Sequence, residues 1–469
     1  MKAMMTRGIV LLVTGLLPIA LLAQERLTLD RAVGLGLEQN HTLHGAFHDL
    51  ESAQWGKKNA MTSFLPKVEI ASSITRIDPE TERRANASVD FIKAAAGNLG
   101  IPQTLLADIR PFAYRDEYNT SLILVQPIYN GGAEIVGLRA ADALQERSEY
   151  SYQDSEQDVV ARVKAAYFTV LKSQALVSLA QESAERTRRW LGMTKRRAEL
   201  GSRTQTDVLR FEVQLAEDEG NIVNAENYLA SARLQLNEVM GEDLNKAYEL
   251  EEIINTDSLL AVSATTTPIM QFASLQSGLV TGKVNEGFLQ HHPSMRSMEA
   301  NLRLAGINID KSWINFQPRV NLAFQYGWER NNTFRLDGIK PWAVSLSVSF
   351  PIFNGFGDYT NLQRAHADFD KTREQVESFR RGLLMQATNA ELTLKATRKR
   401  IDIAKIGLQQ ATDVLNSVAR RYDAGNASNV DVIDVQTAYT SAKTNFVTAV
   451  YDNYIAEVQL ARATGNVSR

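Results

Sequence analysis

From Ala133 to Leu200, and again from Gly357 to Ala424, no proline interrupts the chain and apolar residues return at alternating steps of three and four. In the second stretch Ile401, Ala404, Leu408, Ala411, Leu415, Val418 and Tyr422 keep that step; in the first, Val160, Val163, Tyr167, Val170 and Val177 keep it. These are coiled-coil seams. At about 1.5 Å per residue each stretch predicts a helix of roughly 100 Å, far longer than the helices of ordinary domains. Elsewhere the period drops to two. Val320, Leu322, Phe324, Tyr326 and Trp328 alternate with Asn321, Ala323, Gln325 and Glu329, and Val344, Leu346, Val348 and Phe350 with Ser345, Ser347 and Ser349. That alternation suits a barrel wall with lipid outside and water inside, and equally an ordinary half-buried sheet. Trp328, Trp342, Phe353 and Tyr129, near the strand ends, suit an aromatic girdle.

Both periods recur as one repeated unit. Gln126-Pro127-Ile128-Tyr129-Asn130-Gly131 aligns with Phe350-Pro351-Ile352-Phe353-Asn354-Gly355, Gly201 with Gly425, Asp207 with Asp431 and Gly241 with Gly465, all at an offset of 224 positions. Anchors spread so widely without slippage mark an internal duplication. Leu65-Pro66-Lys67-Val68 aligns with Gln317-Pro318-Arg319-Val320 at an offset of 252, so the first copy holds 28 extra residues, expected as a longer external loop around 79–112. The first repeat is expected over 24–249, with a helix, strands at about 66–77 and 116–128, a long helix at 133–200 and a helix at 204–241. After a linker at 250–271, the second spans 272–469, with a helix, strands at about 318–329 and 341–353, a long helix at 357–424 and a helix at 429–465. The shorter helices, Thr204 to Met240 and His41 to Phe64, would measure about 55 and 35 Å, so stacked end to end they nearly match a long one.

Composition narrows what this architecture can be. Lys2 and Arg7, an apolar run from Gly8 to Leu22 and then Ala23-Gln24 predict a signal peptide over 1–23, with Leu21 leaving the cut position open. No other apolar run approaches membrane-spanning length, so entry into a bilayer would have to be as strands. The chain has no cysteine, which excludes disulfides and thiolate metal sites. A net charge of −3 without a basic stripe argues against nucleic acid. No nucleophile elbow, phosphate-cradling loop or paired His/Glu motif is present, so neither enzyme activity nor a cofactor is expected.

Four strands cannot close a barrel, and open edges are not tolerated in lipid. Several chains must combine, and three protomers, giving twelve strands above a tube of twelve helices, are the simplest closure. The predicted fold is mostly α with a small transmembrane β part: a trimeric twelve-stranded β-barrel continued by a twelve-helix α-barrel. Each long helix ends in a tight tip. Gly201 and Gly425 suit the left-handed position that terminates a helix, and Thr204 with Asp207, like Ser428 with Asp431, has capping-box spacing. Capping accounts for Asp207 and Asp431. Asp434, one turn on, is not needed for the cap; in a trimer Asp431 and Asp434 would form two stacked carboxylate rings, the rival being a solvated helix start.

The Tyr422-Asp423-Ala424-Gly425 tip, Val430-Asp431-Val432-Ile433-Asp434, the duplicated pattern, the Pro-Ile-Tyr/Phe-Asn-Gly strand exits and the leader together resemble the TolC family of outer-membrane efflux and secretion ducts, over essentially the whole mature chain. The resemblance implies a homotrimer with its barrel in outer-membrane lipid and its helical tunnel in the periplasm. It also implies a periplasmic adaptor and an inner-membrane transporter as partners. It places Asp431 and Asp434 at the acidic rings of the periplasmic aperture, and Tyr422 and Asp207 in the hydrogen-bonded pair that closes it. The family archetype has an arginine five residues after the tyrosine, where this chain has Ala427; Arg203, the equivalent of Ala427 in the first repeat, is the candidate replacement clamp. The adaptor-contacting tips would be Leu200, Gly201, Ser202, Ala424, Gly425 and Asn426. Their composition alone is what tight turns require.

The expected function is the passive exit duct of a tripartite efflux system, with a type I protein secretion duct as the alternative. A pore-less coiled-coil protein of the periplasm or surface is the rival from another class. His41, His44 and His48 share a helix face, and Met295 and Met298 lie three apart, but neither set has metal-ligand spacing strong enough to outweigh helix packing, so no metal is expected.

Overall fold

The computed structural model describes residues 26–106, 109–251, 286–331 and 340–468, together with Thr333 and Leu336. The leader expected at 1–23, and the linker at 250–271 beyond Glu251, lie outside the described residues. Two helices dominate: α4 (Ala133–Glu199) and α7 (Gly357–Asp423), each of 67 residues. Each is followed by a shorter partner that folds back along it, α5 (Gln205–Met240) on α4 and α8 (Asn429–Ala463) on α7. Above these, α2 (His41–Thr62) packs on α4, and α6 (Pro293–Trp313) lies between α4 and α7. The two hairpins join along α4, which α8 also contacts. Among the described residues no helix is long and apolar enough to cross a membrane.

At mid-length, α1 (Leu29–Gln39) and the parallel strands β1 (Arg26–Leu27) and β4 (Glu249–Leu250) wrap the main apolar core, which includes Val163, Tyr167, Val170, Leu236, Leu408 and Val450. The Tyr167 hydroxyl lies 2.9 Å from the Leu27 carbonyl and 3.0 Å from that of Glu251, and burial pushes its pKa up to about 12. A buried phenol kept neutral can tie a strand pair to the helix through main-chain acceptors alone. Asn40 performs a similar junction where α5 meets α2. Its Oδ1 caps α2 by accepting from Thr42 and Leu43, while its Nδ2 donates to the Val239 carbonyl at 2.8 Å. Gly241, at φ +76°, lets the chain pass Gln39; a Cβ there would collide with the Gln39 carbonyl.

At the far end β2 (Lys67–Arg76), β3 (Asp116–Asn130), β5 (Arg319–Asn331) and β6 (Trp342–Ser349) form one antiparallel sheet in that order. The register aligns Val68, Leu124, Phe324 and Val344 in one cross-strand row, and Ile70, Leu122, Tyr326 and Trp342 in the next on the same face. Lys67, Val125, Ala323 and Ser345 form a row on the opposite face. Val68, Ile70, Val344, Leu346 and Trp342 are exposed in the single chain, and β2 and β6 are the sheet's edges. An isolated sheet with an apolar outer face and two unpaired edges is not a finished structure in water or in lipid.

The 28 extra residues of the first copy differ from the loop expected of them: most fold as α3 (Pro79–Asn98). Asp78 caps it by accepting from the Glu80 and Thr81 amides, Pro79 occupies its first turn, and Glu80 and Glu82 supply negative charge there. Those are strong start signals, and the alanines that follow favour helix.

Candidate functional site

The two tips opposite the sheet are built by identical local chemistry. After α4, the Gly201 amide donates to Ala198 O and the Ser202 amide to Arg197 O, with Gly201 at φ +75°. After α7, Gly425 donates to Tyr422 O and Asn426 to Arg421 O, with Gly425 at φ +81°. Both are Schellman stops, in which a left-handed residue satisfies the last carbonyls. Both following helices open with a complete capping box. The Asp207 carboxylate accepts from the Thr204 amide at 3.0 Å, and that of Asp431 from the Ser428 amide at 2.9 Å. Those amide bonds, before all else, hold both carboxyls below the ordinary carboxylate range. Asp434 stands exposed one turn beyond Asp431.

Between the tips the copies meet in a small apolar cluster of Leu191, Val208, Phe211, Tyr422, Ala427 and Val432. Tyr422 is at its centre, 0% exposed. Its hydroxyl donates to Asn429 Oδ1 at 2.9 Å and lies 2.7 Å from Thr194 Oγ1. Asn429 Nδ2 in turn donates to the main-chain carbonyl of Asp207 at 3.0 Å. Within one protomer, then, Asp207 is linked to Tyr422 through Asn429 and through its backbone, while its carboxylate is used in the cap. Arg197 donates to Tyr422 O at 2.9 Å and Asp423 O at 3.0 Å, terminating α7 from outside. Arg203 donates to Ala427 O at 2.9 Å. The two guanidinium groups stand 5.1 and 5.0 Å from the Tyr422 ring centre, within cation–π range.

The structure therefore gathers Tyr422, Asp207 and Arg203 in one network. It leaves Leu200, Gly201, Ser202, Ala424, Gly425 and Asn426 on the outer turns, with Leu200 83% exposed. Beside them a cavity of about 350 Å³ opens between Leu209, Val213, Val430 and Ile433.

Thr194, Arg197 and Asn429 escaped the sequence reading. A second polar layer did too, one region further along the hairpins. There Thr187 donates to Asp218 at 2.5 Å, Gln436 donates to Thr187 at 2.7 Å and to the Ser183 carbonyl at 3.1 Å, and all four side chains are buried. Alongside, Glu182 pairs with Lys443 at 2.8 Å and with Arg186; burial would raise its carboxyl, and the two cations hold it below the ordinary range. Steps of seven from Ala166 reach Ser173, Ala180, Thr187 and Thr194, a line of small and hydroxyl residues beside the apolar seam of Val163, Tyr167 and Val170, but nothing local along it names the partners these hydroxyls find. The histidine face does not converge on one point: His44 contacts the Glu38 carbonyl at 2.9 Å and His48 the Glu51 carboxylate at 3.2 Å. Among the described residues no metal-ligand cluster occurs.

Most of the chain is similar to known proteins. The sequence family described as outer membrane efflux protein matches residues 33–242 and 286–466. The outer membrane protein TolC of Escherichia coli K12 is 25% identical over 362 residues, covering 75% of this chain and 70% of its own length. The cobalt-zinc-cadmium resistance protein CzcC of Cupriavidus metallidurans is 22% identical over 445 residues, 94% of this chain and 90% of its own. In fold, the crystal structure of the Campylobacter jejuni CmeC outer membrane channel superposes with a TM-score of 0.75 at 18% identity, over 93% of this chain and 85% of that one.

Proposed function

This chain belongs to the outer membrane efflux protein family, and from that premise we propose that three copies form the exit duct of a tripartite efflux system. Its sheet lies in the outer membrane and its helices form the tunnel in the periplasm. The observation that carries the reading is the continuity of an edge-open sheet, apolar on one face, with two 67-residue helices. Closing β2 of one copy on β6 of the next satisfies both edges at once, and the helices below then close into a tube.

In that tube the paired tips form the periplasmic aperture. Asp431 and Asp434 make two carboxylate rings that attract cations. The Tyr422, Asn429 and Asp207 chain, with Arg203 against Ala427, holds each protomer's two hairpins together, so opening requires these contacts to yield or to move as a body. The exposed turns at 200–202 and 424–426 are where a periplasmic adaptor docks, and an inner-membrane transporter supplies the energy, since the duct itself conducts passively. Small-molecule efflux is favoured over protein secretion because the family description names efflux and the resistance protein CzcC aligns over 94% of the chain.

Single-channel conductance in planar bilayers tests this. The parent is expected to show a small, cation-selective conductance blocked by a trivalent cation, and the double variant Asp431→Ala, Asp434→Ala to lose that block. Absence of conductance from folded protein would favour a pore-less coiled-coil protein; conductance indifferent to both aspartates would keep the pore and reduce them to helix-start charges.

A further inference from the structure

The extra helix of the first copy carries a face that the described residues leave exposed. One stripe of α3, Glu82, Asn86, Val89, Lys93 and Ala96, packs inward, and it is fastened by Asn86. The Asn86 side chain accepts from the amides of Phe112 and Ala113 at 2.7 and 3.0 Å and donates to the Ala113 carbonyl at 2.7 Å. The helix is therefore held in one rotational setting. The adjoining stripe, Thr81, Ala85, Ser88, Ile92, Ala95 and Leu99, steps by four and three without a break, with Phe91 beside it. Phe91, Ile92 and Leu99 are 74%, 51% and 79% exposed. A four-three stripe that is small from Thr81 to Ser88 and apolar from Ile92 to Leu99 is a helix-pairing seam with no partner among the described residues.

What covers it follows from where α3 begins. Asp78 caps the helix two residues after β2, which is the edge strand that meets the neighbouring protomer in the trimer. The subunit interface is therefore continuous with the foot of α3. Twelve strands about 4.8 Å apart and tilted by about 40° enclose a wall of roughly 12 Å radius. The 20 residues of α3 extend about 30 Å, more than enough to pass from the wall to the axis. We infer that the three α3 helices of the trimer meet through the Ile92 stripe and form a helical cap over the external mouth of the duct. The second copy's strand hairpin has no counterpart of α3 among the described residues, so each protomer contributes one helix.

This rests on the trimeric duct proposed above, and cysteine pairing separates the two, because the natural chain has no cysteine. Ile92→Cys and, independently, Leu99→Cys are oxidised in the assembled full-length protein and run on denaturing gels; native mass is measured alongside. The cap predicts covalent dimers from both variants, incorporating up to two of every three chains, and none from Asp90→Cys on the far side of the helix. A trimer by native mass in which neither variant cross-links overturns the cap while leaving the duct in place. Quenching by brominated lipid in vesicles of a fluorophore attached to the Ile92→Cys variant would identify the outer leaflet as the occupant and overturn it too. A monomeric native mass would overturn the cap and the duct together.

Discussion

The two tips have the same backbone and different side chains. Each has a left-handed glycine, a Schellman stop and a capping box, at a constant offset of 224 positions. Around that shared frame the lock is divided between the copies. The first supplies Thr194, Arg197 and Arg203; the second has Val418, Arg421 and Ala427 at the matching positions. The second supplies Tyr422 and Asn429, where the first has Ala198 and Gln205. Duplication preserved the turn because turn geometry tolerates few residues. Divergence acted on the surfaces that face each other, while the arginine shared at 197 and 421 took different partners: Arg197 reaches across to the Tyr422 and Asp423 carbonyls, and Arg421 stays on the Asn426 carbonyl of its own tip. Two copies that no longer match can lock to each other.

The sharpest way to break this asymmetry is Tyr422→Ala. Removing a fully buried aromatic ring from the tip cluster costs about 3–5 kcal/mol locally, which is expected to raise single-channel conductance and to speed hydrogen exchange at the Gly425 and Gly201 amides. Exchange accelerated at Gly425 alone would show that the tips hold independently and that the lock is not shared.

Arg203→Ala has a smaller expected effect. It removes one charge-assisted bond to Ala427 O and one cation–π contact, together about 1–2 kcal/mol, and should raise conductance modestly. Adding Ala427→Arg in that background moves the guanidinium to the other copy and should recover part of the closure. Unchanged conductance in Arg203→Ala would remove it from the clamp.

The smallest effect is on pH, and there the copies should behave alike. Both Asp207 and Asp431 have folded pKa values below the ordinary one, so the stabilisation each provides is complete above the ordinary value near 4 and is lost as pH falls through the depressed value. Protection of the Thr204 and Ser428 amides should fall together on acidification, and each dependence should vanish in the matching Asp→Asn variant. A response in only one copy would show that even the frame has diverged.

The cap glycines, both aspartates and Tyr422 were readable from spacing or from family resemblance because each obeys a local rule or falls on the seam. Thr194 and Asn429 were not, because a hydroxyl or an amide on a helix gains its role from what a distant segment brings within 3 Å. Asp207 is the instructive case. Its cap was visible in the sequence, and the use of its carbonyl by Asn429 was visible only in space. α3 fails in the opposite sense: Asp78-Pro79, the early glutamates and the alanine run announced a helix, but the length offset between the copies drew attention to a loop.

By itself the sequence determined the repeat, the two long helices, the alternating strands and the stops and starts at both tips, since all of these depend on periodicity and on neighbours within a few residues. Tertiary structure decided which polar residue completes which bond: Tyr422 with Asn429, Gln436 with Thr187, Asn40 with Val239, and the inward setting of Asn86 that leaves the Ile92 face of α3 without a partner among the described residues. These pairings join residues far apart along the chain, and a buried polar atom takes whichever complementary atom packing delivers to it, which no local pattern encodes.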